Sequence, residues 1–193
     1  MTQETIKNKA GLANAVNKQS GKPDWVLPQH TFNQICDDMN FYPITDVCAT
    51  KENTKCEKYV TAEMDIFKTE VYTDAYMNAP YLRHSTKKGI KGIGNYVARL
   101  YYLHITYNIG IMVLFPSTVT SLDWFHTYYG KRLLNAFGEK AEPYFIKERV
   151  KFDNKSSGAP PFSSQVFLHR RRSEWELKLI RQRYEENKEK LLW

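Results

Sequence analysis

Four consecutive residues, Asn78-Ala79-Pro80-Tyr81, carry the groups needed to activate a weakly nucleophilic amine. A planar, conjugated amine keeps its lone pair delocalised. It attacks an electrophile only when that lone pair is drawn out, as happens when both N–H groups donate to fixed acceptors. The Asn78 side-chain oxygen and the Ala79 backbone carbonyl are two such acceptors, and their effect would rest on dipoles already aimed at the reacting centre. Pro80 stiffens the turn, and Tyr81 offers a flat ring for stacking. A lone Asn-x-Pro-Tyr is usually an ordinary turn, so its weight depends on what surrounds it.

Several other residue groups bear on the chemistry. Asp46-Val-Cys-Ala49 reads as a strand end opening into a loop of small residues. Gly89-x-x-Gly92-x-Gly94 has the look of a nucleotide loop but follows no strand, so it is not read as a phosphate cradle. Cys36, Cys48 and Cys56 are odd in number and lack CxxC spacing, which argues against a disulfide framework and a zinc site. Reduced cysteines of a cytoplasmic protein are the expectation. His84, His104 and His126 share no ligand-like spacing, and no metal is expected. Lys and Arg number 28 against 21 acids, a formal charge of +7 that suits a polyanionic partner through counterion release. Arg83, Lys87, Lys88 and Lys91 fall in nine acid-free residues, and His169-Arg170-Arg171-Arg172 forms a second basic cluster.

These residues need elements to position them. Residues 1–22 are polar, carry no signal-like apolar segment and read as a flexible tail. Phe32, Ile35, Cys36 and Met39 recur at helical spacing, with Thr31 as N-cap. Tyr42–Ala49 and Lys58–Thr61 read as short strands, and Tyr76-Met77 as the end of a third. Leu82–Gly94 reads as a basic surface loop. Tyr96, Leu100, Leu103 and Tyr107 mark an amphipathic helix, and Ile109–Phe115 a strand buried on both faces. Trp124–Phe137 reads as helical, and Pro143–Phe152 and Ser164–Leu168 as later strands, the second after a Gly158–Pro161 turn. Ser173-x-x-Glu176 is a capping box opening a charged helix to about Leu192, whose Trp175, Leu179, Ile180 and Tyr184 are expected to dock on the domain or a second subunit. The longest apolar run is too short to span a bilayer. Alternating strands and helices predict an open α/β sheet, in which ligands bind beyond the carboxyl ends of the strands. The loops after Asp46 and Met77 would then line one crevice.

The series Trp25-x-Leu-Pro28, Asp46-Val-Cys-Ala-Thr50, Asn53-x-Lys-Cys56, Tyr59-Val-Thr61, Asp65 and Asn78-Ala-Pro-Tyr81 resembles the phage-type Dam family of DNA N6-adenine methyltransferases. The resemblance continues through Leu114-Phe-Pro116, Trp124-Phe-His126, Phe145–Phe152 and Ser157-Gly-Ala-Pro160. It implies a single Rossmann-like methyltransferase domain over 23–170, its mixed, mostly parallel sheet flanked by helices, with a charged C-terminal helix over 171–193.

The resemblance further implies S-adenosylmethionine as methyl donor, without metal, and double-stranded DNA as partner. The amine would be that of a flipped-out adenine, stacked on Tyr81. Asn78, Ala79, Pro80 and Tyr81 are the implied catalytic residues. Trp25, Asp46, Cys48, Ala49, Asp65 and Asn78 are implied to hold the cofactor: Asp46 its ammonium, and Asp65, with Glu63 as rival, its adenosine portion. Arg83, Lys87, Lys88 and Lys91, with Arg149 and Lys151 behind them, would meet DNA. Ala79 departs from the family pattern, which usually has proline there; the carbonyl survives and some rigidity is lost. Tyr128–Glu139 looks longer than the family usually carries and is a candidate for target recognition. Cytosine N4, RNA or a protein amide are rival acceptors, and a non-catalytic DNA-binding module is the rival of another class. The chain is expected to be a monomer or a homodimer.

Overall fold

The computed structural model describes residues 26–80, 91–130, 134–147, 149–152 and 163–191. Six strands form one sheet: β1 (Thr45–Asp46), β2 (Lys58–Tyr59), β3 (Ala75–Met77), β4 (Ile111–Pro116), β5 (Glu142–Phe145) and β6 (Ser164–His169), in spatial order β2-β1-β3-β4-β6-β5. The first four run parallel, and β6 lies antiparallel between β4 and β5. Pairing of Asp46 with Tyr76 and of Pro116 with Ser164 brings the ends of β1, β3 and β4 and the start of β6 to one edge.

Side chains alternate across the sheet and sort into two cores. Ala75, Met77, Ile111, Val113, Phe115 and Phe167 face the helices α2 (Ile93–Tyr107), α3 (Asp123–Tyr129) and α4 (Glu174–Asn187). Tyr76, Met112, Leu114, Val166 and Leu168 face α1 (Gln29–Met39) together with Val150 and Phe152. β4 is buried at all six positions because both faces are covered. The result is a mixed α/β fold of three layers.

Several expected boundaries move. α1 begins at Gln29 after Pro28, without a side-chain cap, so Thr31 lies inside the first turn. The strands at 42–49 and 58–61 shrink to two residues each, because Tyr42 and Ile44 are exposed. α3 stops at Tyr129, eight residues short of Phe137, where Gly130 takes φ +96°. Phe137 still reaches the core, but from a turn built on Asn135, whose side-chain oxygen accepts from the amides of Phe137 and Glu139. The strand at 143–152 ends at Phe145; with Pro143 inside it, β5 is confined to the sheet edge. The Ser173–Glu176 capping box forms as expected, and α4 gives way to a 3-10 turn at Lys188. On α4, Leu177 and Ile180 are buried while Trp175 is 73% exposed, so Trp175 does not dock on the domain. The tail 1–22, Trp25, Tyr81, Arg83, Lys87, Lys88 and the Gly158–Pro161 turn lie outside the described residues.

Candidate active site

The sheet reverses its direction of growth between β1 and β3: β2 is added on one side, β4 on the other. A crevice beyond the carboxyl ends is expected at such a switch. Asp46 is the last residue of β1, and Asn78 follows the last residue of β3. The ladder extends past the strands through Val47 N–H to the Tyr76 carbonyl at 2.9 Å. Asp46 and Asn78 therefore leave adjacent strands at the same edge.

Asp46 is buried, and its carboxylate accepts from the amides of Cys48 at 3.3 Å and Lys55 at 3.2 Å. Burial lifts its pKa to about 6, against the pull of those two amides. It is a buried anion held by neutral donors, which shapes the loop and suits a cationic group. Ala49 is tied to the next strand by its N–H to the Val60 carbonyl. Burial pushes all three cysteine thiols up, so none is poised as a thiolate.

Asp65 occupies the left-handed region at φ +60° and caps its own turn, accepting from Phe67 N–H at 3.1 Å and pairing with Lys68. Arg99 of α2 fixes this loop, donating to the Ile66 carbonyl at 3.0 Å, the Thr69 carbonyl at 2.9 Å and Glu70 at 2.9 Å. Tyr96, three residues before Arg99 on α2, is raised to about 12 by burial, with Cys48 and Asp65 adding to the shift. The loops after β1 and β2 thus converge on Tyr96, whose ring meets Phe67 edge-on at 5.0 Å. Phe67, Tyr96 and Arg99 gave no sign in the sequence beyond ordinary core or surface periodicity.

In the Asn78 loop, Asn78 is half-buried, Ala79 is in the core facing α2, and Pro80 is exposed. Lys91 rests its ammonium over the Phe67 ring at 5.3 Å, beside the Asp65 loop. Arg149 and Lys151 are exposed, as is Lys147, in the segment that follows the edge strand β5. The second basic cluster is not a free surface. Arg170 donates to Glu142 at 2.7 Å and to the Met39 carbonyl, Arg171 to Asp74 at 2.9 Å, and Arg172 to Glu139 at 2.6 Å. Three adjacent arginines clasp three different parts of the fold.

A further group escaped the sequence altogether. His104, Glu139 and His169 bring ligand-type atoms within 4.8 Å of one another, all buried. His104 Nδ1 meets the Ile109 carbonyl at 2.6 Å and Nε2 meets Glu139 at 3.0 Å. Glu139 also accepts from Tyr101 at 2.8 Å, and His169 Nδ1 lies 3.1 Å from it. Burial would raise the Glu139 carboxyl, but His169 and His104 hold it well below the carboxylate range. Arg172 already supplies a cation at one carboxylate oxygen, and the group sits at the edge of the sheet opposite Asn78, where His169 pairs with Ile111. It is a framework of the fold, remote from the crevice. Spacings of 35 and 30 residues between its members explain why no local pattern announces it.

Comparison with known proteins adds one finding. No curated protein and no solved structure matches the chain. The family model for DNA N-6-adenine-methyltransferase (Dam) matches residues 14–172, most of the sequence and all six strands. The chain belongs to the Dam family of DNA N-6-adenine-methyltransferases.

Proposed function

We propose that the protein transfers a methyl group from S-adenosylmethionine to the N6 amine of a flipped-out adenine in duplex DNA, on a Rossmann-like sheet. The observation that carries this reading is the placement of Asp46 and Asn78 on adjacent parallel strand ends at the sheet's switch point. Asp46 fits the cofactor's ammonium because it is a buried carboxylate bonded to neutral amides. Cys48 and Ala49 are small enough to let it approach, Asp65 is the candidate for the adenosine portion, and the family resemblance adds Trp25 to the cofactor-binding residues. When bound, the cofactor supplies a methyl group already activated as a sulfonium.

The chain's own part is alignment. The Asn78 oxygen and Ala79 carbonyl accept the two amine N–H groups and draw the lone pair into line. Pro80 fixes the turn and Tyr81 stacks the base. Arg83, Lys87, Lys88 and Lys91 hold phosphates beside the target, with Arg149 and Lys151 farther along. Ala79 in place of the family's usual proline favours one rival, a basic DNA-binding module that keeps the fold. The rivals part on one experiment. Duplex DNA is incubated with labelled S-adenosylmethionine and digested to nucleosides, and label is expected in N6-methyladenine. Label on cytosine overturns the acceptor. No label, with no rise in melting temperature at saturating cofactor, favours the binding module.

A further inference from the structure

A cavity lies beside the sheet, away from Asn78. Its volume is about 260 Å³, and it lies between α3 and the β5–β6 end of the sheet, lined by Phe125, Tyr129, Phe145, Gln165 and Phe167 among others. The register places it: Phe115 pairs with Gln165, which pairs in turn with Phe145, so these residues sit level with the carboxyl end of β4. β6 is two strands from β3 and β5 is three, a separation of about 10–14 Å at the usual strand spacing. The cavity is therefore beside the reacting centre but too far to be part of it.

Three features of the cavity point to one kind of occupant. Its wall is aromatic, with Phe167 packed edge-on against Phe125 and tilted against Tyr129, each at 5.2 Å. At its rim Phe145 is 69% exposed, a large apolar ring left in solvent. Inside, Gln165 is 4% exposed, and its amide nitrogen is buried with no hydrogen-bond partner among the described residues. Buried donors without partners are rare in folded proteins, because water's hydrogen bonds are lost and not replaced. Beyond Phe145 the chain presents Lys147, Arg149 and Lys151 at alternate exposed positions. A flat ring with polar edges, on a strand of negative charge, satisfies all of these at once.

We propose that this cavity receives a nucleobase flanking the target adenine, with Gln165 reading its polar edge, Phe145 stacking on its face and Lys147, Arg149 and Lys151 holding the adjoining phosphates. The assignment rests on the DNA-methylating function proposed above. A carboxamide can both donate to and accept from a base edge, which gives sequence preference, whereas stacking and phosphate contacts tolerate any base. Gln165 is then a specificity residue and Phe145 an affinity residue.

Duplexes randomised on both sides of an adenine would be selected by binding to the full chain with S-adenosylmethionine present, and methylation by the same chain read in parallel. Gln165→Leu is expected to reduce the preference at one flanking position about tenfold, leaving the others and the cofactor-induced rise in melting temperature unchanged. Phe145→Ala, at an exposed rim position that leaves the core intact, should weaken binding to all sequences about fivefold or more without altering preference. Unchanged preference in Gln165→Leu, or unchanged affinity in Phe145→Ala, overturns the proposal. So does a Gln165→Leu chain that melts higher with its preference intact, which would mean that the protein fills the cavity itself. Preference that moves with Gln165 while no methyl is transferred keeps the cavity and removes the catalytic reading. Transfer with unmoved preference does the reverse.

Discussion

Asp46 stands close to its own titration point. Burial lifts it to about 6, so it is ionised at neutral pH and becomes half protonated one unit below. Pairing with a cation favours the ionised form, so binding must expel the proton wherever one is present. Cofactor affinity measured by calorimetry is expected to be flat above pH 7 and to fall toward tenfold per unit below about pH 6. Asp46→Asn should lower affinity and remove that pH dependence. Asn78→Ala should abolish turnover while leaving the cofactor-induced melting shift in place; an active variant would refute the catalytic loop. The position of both residues was legible in the sequence, which puts them at the ends of predicted strands, where the fold has them. Glu139 was not, since its partners lie 35 and 30 residues away and only the packed fold brings them together.

At the scale of elements, the Glu139 group ties α2, the Asn135 turn, β6 and the start of α4. Burial lowers His169 against the opposing pull of Glu139, with His104 and Arg172 adding to the fall, and the two histidines lower Glu139 against its own burial. The sign is the same for both: the unfolded chain binds more protons, so stability is present above the ordinary values and lost as pH falls. The melting temperature is expected to decline as pH drops below about 6.5, and more steeply once carboxylates titrate below about 4.3. Glu139→Gln should cost about 3 kcal/mol or more at neutral pH by leaving Arg172 half-paired, and should flatten the acid limb of the melting curve. Ser173→Ala removes one half of a formed capping box and should cost about 1 kcal/mol by denaturant titration. That box, β4 and β6 were readable from local pattern. The length of α3 was not: Phe137 is buried as a helix residue would be, but it reaches the core from a turn, because the helix ends at Gly130.

For the whole molecule, charge is divided by role. Arg99, Arg170, Arg171, Arg172 and Arg181 all donate within the fold, to carboxylates or carbonyls. The net charge of +7 is unchanged by these contacts, but the five arginines are engaged within the fold. Lys147, Arg149 and Lys151 remain exposed after β5. Replacing any one of them with Ala is expected to weaken binding to all duplexes alike and to reduce the slope of log affinity against log salt by about 1. An unchanged slope would place DNA elsewhere. The sequence implied a mixed, mostly parallel α/β sheet, and the sheet is mixed, with its first four strands parallel. The order of strands was beyond local reading, since pairing β4 with β6 depends on contacts fifty residues apart.

That order has a consequence for how the chain is made. β6, although last in sequence, sits between β4 and β5, and the Arg170–Arg172 clasp follows it directly. During synthesis β4 emerges with six apolar residues and one unpaired edge, and the partner for that edge is not available until some fifty residues later. A nascent or prematurely ended chain that stops before Ser164 exposes a sticky strand and lacks every arginine of the clasp. Such fragments are expected in the insoluble fraction, while chains extended through Arg172 and its capped helix are recovered soluble. The strand that completes the sheet is also the one that decides whether an unfinished chain survives.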